Sequence, residues 1–208
     1  MKFRNLVLLA VLAAMVVMAG CSCKEFEDQI LALDAQIADL QQQLGEREAT
    51  LAECNDLTDE LRTNIREAEM EHAVAIEQRD ERYIELTLEN SVTFASSQWI
   101  VLDTMVPALE TIAATLQNRD GFKIYVEGHT DDMKILEEFQ EQWPSNWELG
   151  AYRAAAVTRY LTNELGLPAE RFASVSYGPF QPVASNETAE GRSDNRRVVI
   201  RLEKITSF

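Results

Sequence analysis

Two charged side chains in the C-terminal half of the sequence, Asp131 and Arg153, have the chemistry of a binding site for a zwitterion. Asp131 follows a predicted strand that ends at Gly128, and its carboxylate can accept hydrogen bonds from an ammonium group. Arg153 lies on a predicted helix, and its planar guanidinium suits a carboxylate in bidentate fashion. The two residues would supply one fixed anion and one fixed cation, unless they form only a structural ion pair.

Three further polar residues are candidates for the same site. Asn146 precedes Arg153 by seven residues, so the two side chains share one face of the predicted helix. Thr130 and Asn146 are predicted either to hold the loop at Asp131 or to contact the ligand, and Arg196 is either a second cation or a solvated charge. No nucleophile–base pair and no metal-ligand spacing accompanies these residues, so we expect no enzyme activity, no cofactor and no metal site.

The elements that must position these residues follow one another over residues 91–208. Short or alternating apolar runs predict strands, and apolar residues at helical spacing predict helices. The predicted strands cover residues 91–94, 122–128, 172–177 and 197–202, and the predicted helices cover residues 99–116 and 146–165. This β-α-β-α-β-β order indicates an α+β domain with its helices packed on one sheet.

Three motifs in this domain resemble the OmpA/MotB C-terminal domain family, whose members bind peptidoglycan. The strand-end motif is the sequence EGHTDD at residues 127–132, and the helix motif N-x-x-L-x-x-x-R-A-x-x-V fits residues 146–157. The last loop and strand match at residues 189–198, and residues 144–149 are similar to a run in the MotB-type branch. Gly150 departs from the pattern, since the family often has Ser there.

The resemblance implies an OmpA-like fold and a non-catalytic function in the cell envelope. In the family, the positions that match Asp131 and Arg153 recognise the diaminopimelate-type residue of the peptide stem, which carries ammonium and carboxylate groups. The resemblance therefore implies that peptidoglycan is the partner of this domain and that Asp131 and Arg153 bind it.

The first twenty residues have the pattern of a bacterial targeting segment. Lys2 and Arg4 precede about fourteen apolar residues, which are too few for a comfortable transmembrane helix. Residues 18–21, Met-Ala-Gly-Cys, resemble the lipobox of bacterial lipoproteins, which implies cleavage and acylation of Cys21, with palmitate among the expected chains. The residue after Cys21 is Ser22 rather than Asp. In lipoproteins of this kind, the absence of Asp at that position implies sorting to the periplasmic face of the outer membrane. An uncleaved signal anchor and a signal peptide cut elsewhere are the alternatives.

Residues 21–90 are predicted to form a long acidic α-helical coiled-coil stalk. The stretch from Glu25 to Glu89 has no Pro and one Gly, and apolar residues recur at heptad spacing through four heptads. The stalk is either an oligomeric coiled coil of identical chains or a solvated, partly disordered acidic segment. Cys54 lies at a seam position, where it either pairs with its copy in a parallel oligomer or remains a free thiol.

The charge of the sequence is concentrated in this stalk. The 208 residues have a formal net charge of -16, and residues 24–90 alone contain 19 acidic and six basic side chains. Such a chain is not expected to bind nucleic acid, because a polyanion would be repelled. The sequence thus predicts an outer-membrane lipoprotein that ties the membrane to peptidoglycan. The alternative is a MotB-type stator or secretion-complex component that anchors an inner-membrane machine to the wall.

Overall fold

The computed structural model describes residues 2–68, 73–89 and 101–205, with side chains from Lys24 onward. The chain divides into two compact units, residues 1–49 and residues 50–208. Helix α1 (Lys2–Glu67) begins in the first unit and ends in the second. The side chain of Cys21 lies outside the described residues, so the targeting segment and the lipidation remain predictions. Within the described part of the chain, we find no helical segment with the length and hydropathy of a membrane span.

Five strands of the described residues form one mixed sheet in the second unit. They are β1 (Val74–Gln78), β2 (Tyr83–Glu89), β3 (Phe122–His129), β4 (Phe172–Gly178) and β5 (Arg197–Lys204). Their order across the sheet is β1-β2-β5-β3-β4, in which β3 and β4 are parallel and all other neighbours are antiparallel.

Within the described part of the second unit, three helices follow α1: α2 (Val106–Leu116), α3 (Asn146–Arg159) and α4 (Ala189–Asn195). A π-helical turn at Tyr160–Glu164 extends α3, and short 3-10 segments lie at Glu137–Phe139 and Ala169–Arg171. The predicted α+β architecture with a long N-terminal helix is confirmed.

The prediction of helix as far as Glu89 is wrong, because β1 and β2 form a hairpin after α1 has ended. In β2, the apolar residues alternate along the strand, and Ile84, Leu86 and Leu88 are fully buried. The Asp80 carboxylate closes the turn by accepting hydrogen bonds from the backbone N–H groups of residues 82 and 83, at 2.7 and 3.0 Å. The second unit therefore begins at Thr50 rather than at residue 91, and the predicted strand at 91–94 lies outside the described residues.

The last turns of α1 pack into the core of the second unit. Leu57 and Leu61 are fully buried there, and Lys204 of β5 donates a hydrogen bond to the Glu53 carboxylate at 2.6 Å. Cys54 is also fully buried, and burial raises the pKa of its thiol to about 11. The expectation that Cys54 faces a seam between chains is therefore wrong, since a thiol enclosed by its own domain cannot reach a second copy.

Candidate functional site

Strand β3 and helix α3 approach each other unusually closely at two glycines. A Cβ atom on Gly128 would lie 2.0 Å from the backbone oxygen of Gly150, and a Cβ atom on Gly150 would lie 2.4 Å from Oγ of Ser176. No side chain fits at Gly128 without moving backbone, and a side chain at Gly150 would require Ser176 to move. The departure from the family's Ser at position 150 therefore has a packing reason. The contact also brings the end of β3, which leads to Asp131, against the helix that carries Arg153.

The loop that follows β3 holds Asp131 in one position. The backbone N–H of Thr130 donates to the carbonyl oxygen of Gly178 at the end of β4, at 2.9 Å. The Thr130 hydroxyl donates to the carbonyl oxygen of Asp131, also at 2.9 Å, and Oδ1 of Asp131 accepts from the N–H of Met133 at 3.2 Å. Both Thr130 and Asp131 are buried. Thr130 therefore holds the loop, which is one of its two predicted roles.

Two guanidinium groups interact with the Asp131 carboxylate, that of Arg196 through a hydrogen bond and that of Arg153 through its charge. Nη1 of Arg196 donates to Oδ2 of Asp131 at 2.7 Å, so this carboxylate forms an ion pair with a residue at the end of α4. Arg153 is almost fully buried, and burial lowers its pKa to about 10. The positive charge of Arg196 adds to that decrease, and the negative charge of Asp131 opposes it. We refer to Asp131, Arg153 and Arg196 as the Asp131 cluster.

Asn146 positions this cluster from the first turn of α3. Its side-chain Nδ2 donates to the carbonyl oxygen of Met133 at 2.9 Å and to that of Asp131 at 3.3 Å. Ser145 caps the helix, because its Oγ accepts from the backbone N–H of Trp147 at 3.2 Å and hydrogen-bonds the Glu148 carboxylate. Asn146 therefore holds the loop by donating hydrogen bonds to two backbone carbonyl groups of the loop. The Ser145 cap in turn fixes the first turn of α3, which carries Asn146.

His129, the last residue of β3, is buried in the domain and precedes Thr130 and Asp131 in the chain. Its ring is buried and stacks on Tyr177 of β4 with 5.2 Å between ring centroids. Burial, together with the positive charge of Arg197, lowers the pKa of His129 to about 3, so the imidazole is neutral at physiological pH. Among the described side chains, no group of three or more His, Cys, Asp or Glu residues is arranged to hold a metal ion.

Sequence reasoning missed one feature beside the cluster, a pair of exposed aromatic rings. Trp147 of α3 and Phe180, in the loop after β4, stack with 5.3 Å between ring centroids and an angle of 29° between ring planes. Trp147 belongs to the helix motif, but nothing in the sequence marks Phe180 as its neighbour. The only available signal was the Gly178-Pro179 turn, which predicts that the chain reverses just before Phe180.

Comparison with known proteins identifies a matching family and several relatives of this chain. The OmpA family model matches residues 93–196. Motility protein B from Bacillus subtilis is 36% identical over 137 residues, which are 65% of this chain and 51% of that protein. The peptidoglycan-associated lipoprotein from Haemophilus influenzae is 32% identical over 111 residues, covering 53% of this chain and 67% of that protein. The chain thus spans about half the length of the Bacillus relative.

Two solved structures share the fold. A MotB-like protein from Desulfovibrio vulgaris superimposes with a TM-score of 0.70 at 25% identity, covering 77% of this chain and 97% of that one. The cell wall anchor of the T6SS from Pseudomonas aeruginosa superimposes with a TM-score of 0.61 at 32% identity, covering 70% of this chain and 97% of that one. These similarities confirm the OmpA-like fold that the three sequence motifs predicted.

Proposed function

The chain belongs to the OmpA family, and on this basis we propose that its second unit binds peptidoglycan as a non-catalytic anchor. The observation that supports this proposal is the Asp131 cluster, in which one buried carboxylate is held beside two guanidinium groups. Buried charges are expensive to desolvate, and two of these three charges, on Asp131 and Arg153, are buried. A cluster that keeps them near one surface loop is better explained by ligand binding than by stability.

A diaminopimelate-type residue of the peptide stem matches the chemistry of this cluster. Asp131 already accepts one hydrogen bond on each oxygen, and a carboxylate offers about four acceptor sites, so it retains capacity for an ammonium group. The guanidinium groups of Arg153 and Arg196 suit a carboxylate on the same ligand. Thr130 and Asn146 would then act as positioning residues that keep Asp131 in place.

Co-sedimentation of the purified chain with cell-wall sacculi tests this assignment. Asp131→Asn keeps the shape of the side chain but removes its charge, and a hydrogen bond to a charged group contributes about 1.5–3 kcal/mol. We expect binding about ten- to a hundredfold weaker, and a similar loss for Arg153→Gln. Asp132→Asn is the matched control, because that residue is adjacent and exposed. Undiminished binding by both Asp131→Asn and Arg153→Gln would refute the site assignment.

We further propose that acyl chains on Cys21 hold the chain in the outer membrane, with the second unit in the periplasm. The lipobox-like run at residues 18–21 and the Ser that follows it support this placement. Several acyl chains would give stable anchoring, whereas a single chain gives only marginal membrane affinity. Together with wall binding, the lipid would make the protein a tether between the outer membrane and peptidoglycan.

The alternative function is that of a MotB-type stator or secretion-complex anchor, attached to the inner membrane. The likeness to Motility protein B and to the cell wall anchor of the T6SS favours this alternative. Against it, the apolar segment at residues 6–19 contains no acidic side chain of the kind that a proton-driven stator needs. Labelling of cells with radioactive palmitate, followed by separation of the two membranes, decides between them. Label that depends on Cys21 in the outer-membrane fraction supports the tether, and an unlabelled protein in the inner membrane supports the alternative.

We also propose that α1 pairs two copies of the chain in its first unit. An apolar stripe of α1 with heptad spacing is 51–64% exposed, and its members are Phe26, Ile30, Leu33, Ile37, Leu40 and Leu44. Ile at the first seam position and Leu at the second favour a two-stranded coiled coil. A second copy is the occupant that a heptad stripe fits, because its own stripe has the same spacing.

The residues that flank this stripe favour a parallel arrangement. One flank is largely acidic, with Glu27, Asp34 and Glu48, and the other flank is neutral, with Gln29, Gln36 and Gln43. In a parallel pair the acidic flank of one helix faces the neutral flank of the other, whereas an antiparallel pair sets acid against acid. Light scattering of the unlipidated chain should give the mass of a dimer, and a monomer at micromolar concentration would contradict the proposal.

A further inference from the structure

The stacked rings of Trp147 and Phe180 form an exposed aromatic surface outside the hydrophobic core. Trp147 is 48% exposed and Phe180 is 68% exposed. Large aromatic side chains contribute most to stability when they are buried, so two of them held together in water mark a binding surface. We call this pair the Trp147 platform.

The platform is built in advance by its surroundings. Gly178 has a φ of +52°, and a Cβ atom there would lie 3.6 Å from the Trp147 ring, so the turn that leads to Phe180 passes directly against this ring. The carbonyl oxygen of Trp147 accepts a hydrogen bond from Oγ of Ser176 at 2.9 Å. A ligand would therefore meet rings whose backbone is already fixed, which lowers the entropic cost of binding.

The platform shares its supporting residues with the Asp131 cluster. Asn146, which holds the Asp131 loop, is the residue immediately before Trp147. Gly178, which contacts the Trp147 ring, accepts the hydrogen bond from Thr130 that holds the same loop. Because β3 and β4 are parallel neighbours, both features lie at the carboxyl ends of these two strands. One extended ligand can reach both.

The chemistry of the platform suits the face of a sugar ring. An aromatic face carries partial negative charge, and the C–H hydrogens on one face of a pyranose are apolar and slightly positive, while its hydroxyl groups stay in water. In peptidoglycan, the peptide stem is attached to a sugar of the glycan strand. We propose that the Trp147 platform binds a sugar ring of the glycan strand next to the stem that the Asp131 cluster holds, an inference that rests on the proposed function.

Two soluble probes separate this proposal from the proposed function itself. One is the disaccharide–tetrapeptide released from sacculi by a muramidase, and the other is the same tetrapeptide freed from its sugars by an amidase. Calorimetry with the full chain should show that the disaccharide–tetrapeptide binds about tenfold more tightly, which is the order of one aromatic stacking contact. Trp147→Ala and Phe180→Ala should each abolish this preference while leaving the affinity for the free tetrapeptide within about twofold.

Two further variants serve as controls for these substitutions. Tyr152→Ala is the matched control, because Tyr152 lies on the same helix and is 49% exposed, yet its ring packs against Trp143 instead. Phe180→Trp should preserve the sugar preference, because it keeps an aromatic face at that position. If Trp147→Ala lowers the melting temperature and weakens both probes, the comparison rests on Phe180→Ala, whose side chain is the more exposed of the two.

The possible failures have different meanings. Equal affinity of the wild-type chain for the two probes, or a full sugar preference in Phe180→Ala, would overturn the platform and leave peptidoglycan binding intact. The absence of binding to either probe would overturn the proposed function and the platform with it. Equal affinities accompanied by loss of a protein partner in the Phe180→Ala variant would assign the surface to a protein and likewise overturn the sugar proposal.

Discussion

Replacing Gly128 by Ala should damage both the stability and the binding of the second unit, because it places a methyl group inside the contact between β3 and α3. The new Cβ would lie 2.0 Å from the backbone oxygen of Gly150 and 2.6 Å from its carbonyl carbon. Ordinary contacts of this kind begin at 3.4 Å, so the two elements must separate by roughly an ångström or more. Both obstructing atoms are backbone atoms, and no side-chain rotation can relieve the overlap.

The expected cost follows from this geometry. Overpacking of a well-packed contact costs about 1–3 kcal/mol, and the upper end applies here because backbone must move. At about 2–4 °C per kcal/mol for a unit of this size, the melting temperature should fall by about 6–12 °C. The same displacement moves Arg153 and Asn146 away from Asp131. Hydrogen bonds tolerate only about 0.5 Å of such movement, so affinity for sacculi should fall at least about tenfold.

Thermal melts followed by circular dichroism, and sacculus binding well below the melting temperature, measure the two effects separately. Gly166→Ala is the control: Gly166 has a φ of +73° and no atom within 4 Å of the position that a Cβ would take. That substitution should cost about 1 kcal/mol through backbone strain alone and leave binding unchanged. Wild-type melting of Gly128→Ala would refute the packing argument. Wild-type binding by a destabilised Gly128→Ala protein would refute the link between this contact and the site.

Three further outcomes follow from burial and charge. Because His129 has a pKa of about 3 in the folded chain and an ordinary value near 6.5 when unfolded, protons bind the unfolded state preferentially between these values, and stability falls as the pH decreases. The loss should reach about 2 kcal/mol between pH 7 and pH 5 in chemical denaturation, and His129→Gln should lack it. In a chain with Cys21 and Cys23 replaced by Ser, the fully buried Cys54 should react with a thiol reagent only at the rate of unfolding; rapid labelling of this folded variant would contradict the burial of Cys54. In an unlipidated chain with Cys21 and Cys23 replaced by Ser, Leu33→Cys should form a disulfide-linked dimer and Ala35→Cys, on the opposite face of the helix, should not; equal cross-linking would count against the parallel pair.

The end of α1 shows why sequence reasoning misplaced the boundary of the second unit. Ile76, Tyr83 and Leu86 fit a shifted heptad as well as they fit two strands, so the helical pattern of the sequence continues past residue 67. The hairpin turn contains neither Gly nor Pro, because Asp80 closes it with a side-chain carboxylate. The pairing of β2 with both β1 and β5 makes residues 83–89 a strand rather than a helix. The pairing with β5 depends on residues more than a hundred positions away.

The site was predictable in its residue types and not in its pairing. Asp131 and Arg153 could be named from charge, motif and helical spacing, because these are local properties of the sequence. The ion pair between Asp131 and Arg196 could not be predicted from the sequence, because it depends on β5 lying next to β3 with Arg197 opposite His129. That register places the residue before β5 beside the loop after β3. The platform depends in the same way on a turn at the end of β4.

The charge of the Asp131 cluster also changes how the composition of the chain is interpreted. The chain as a whole is strongly acidic, with a net charge of -16, whereas the cluster combines one carboxylate with two guanidinium groups and is locally cationic. At physiological ionic strength the Debye length is about 8 Å, so solvent-exposed charges further than this from the cluster are largely screened from a ligand there. A ligand bound as proposed would therefore respond to the local charge of the cluster rather than to the net charge of the chain. A residue with one ammonium and an excess of carboxylate complements the cluster, and a polyanion without an ammonium would leave Asp131 facing a like charge.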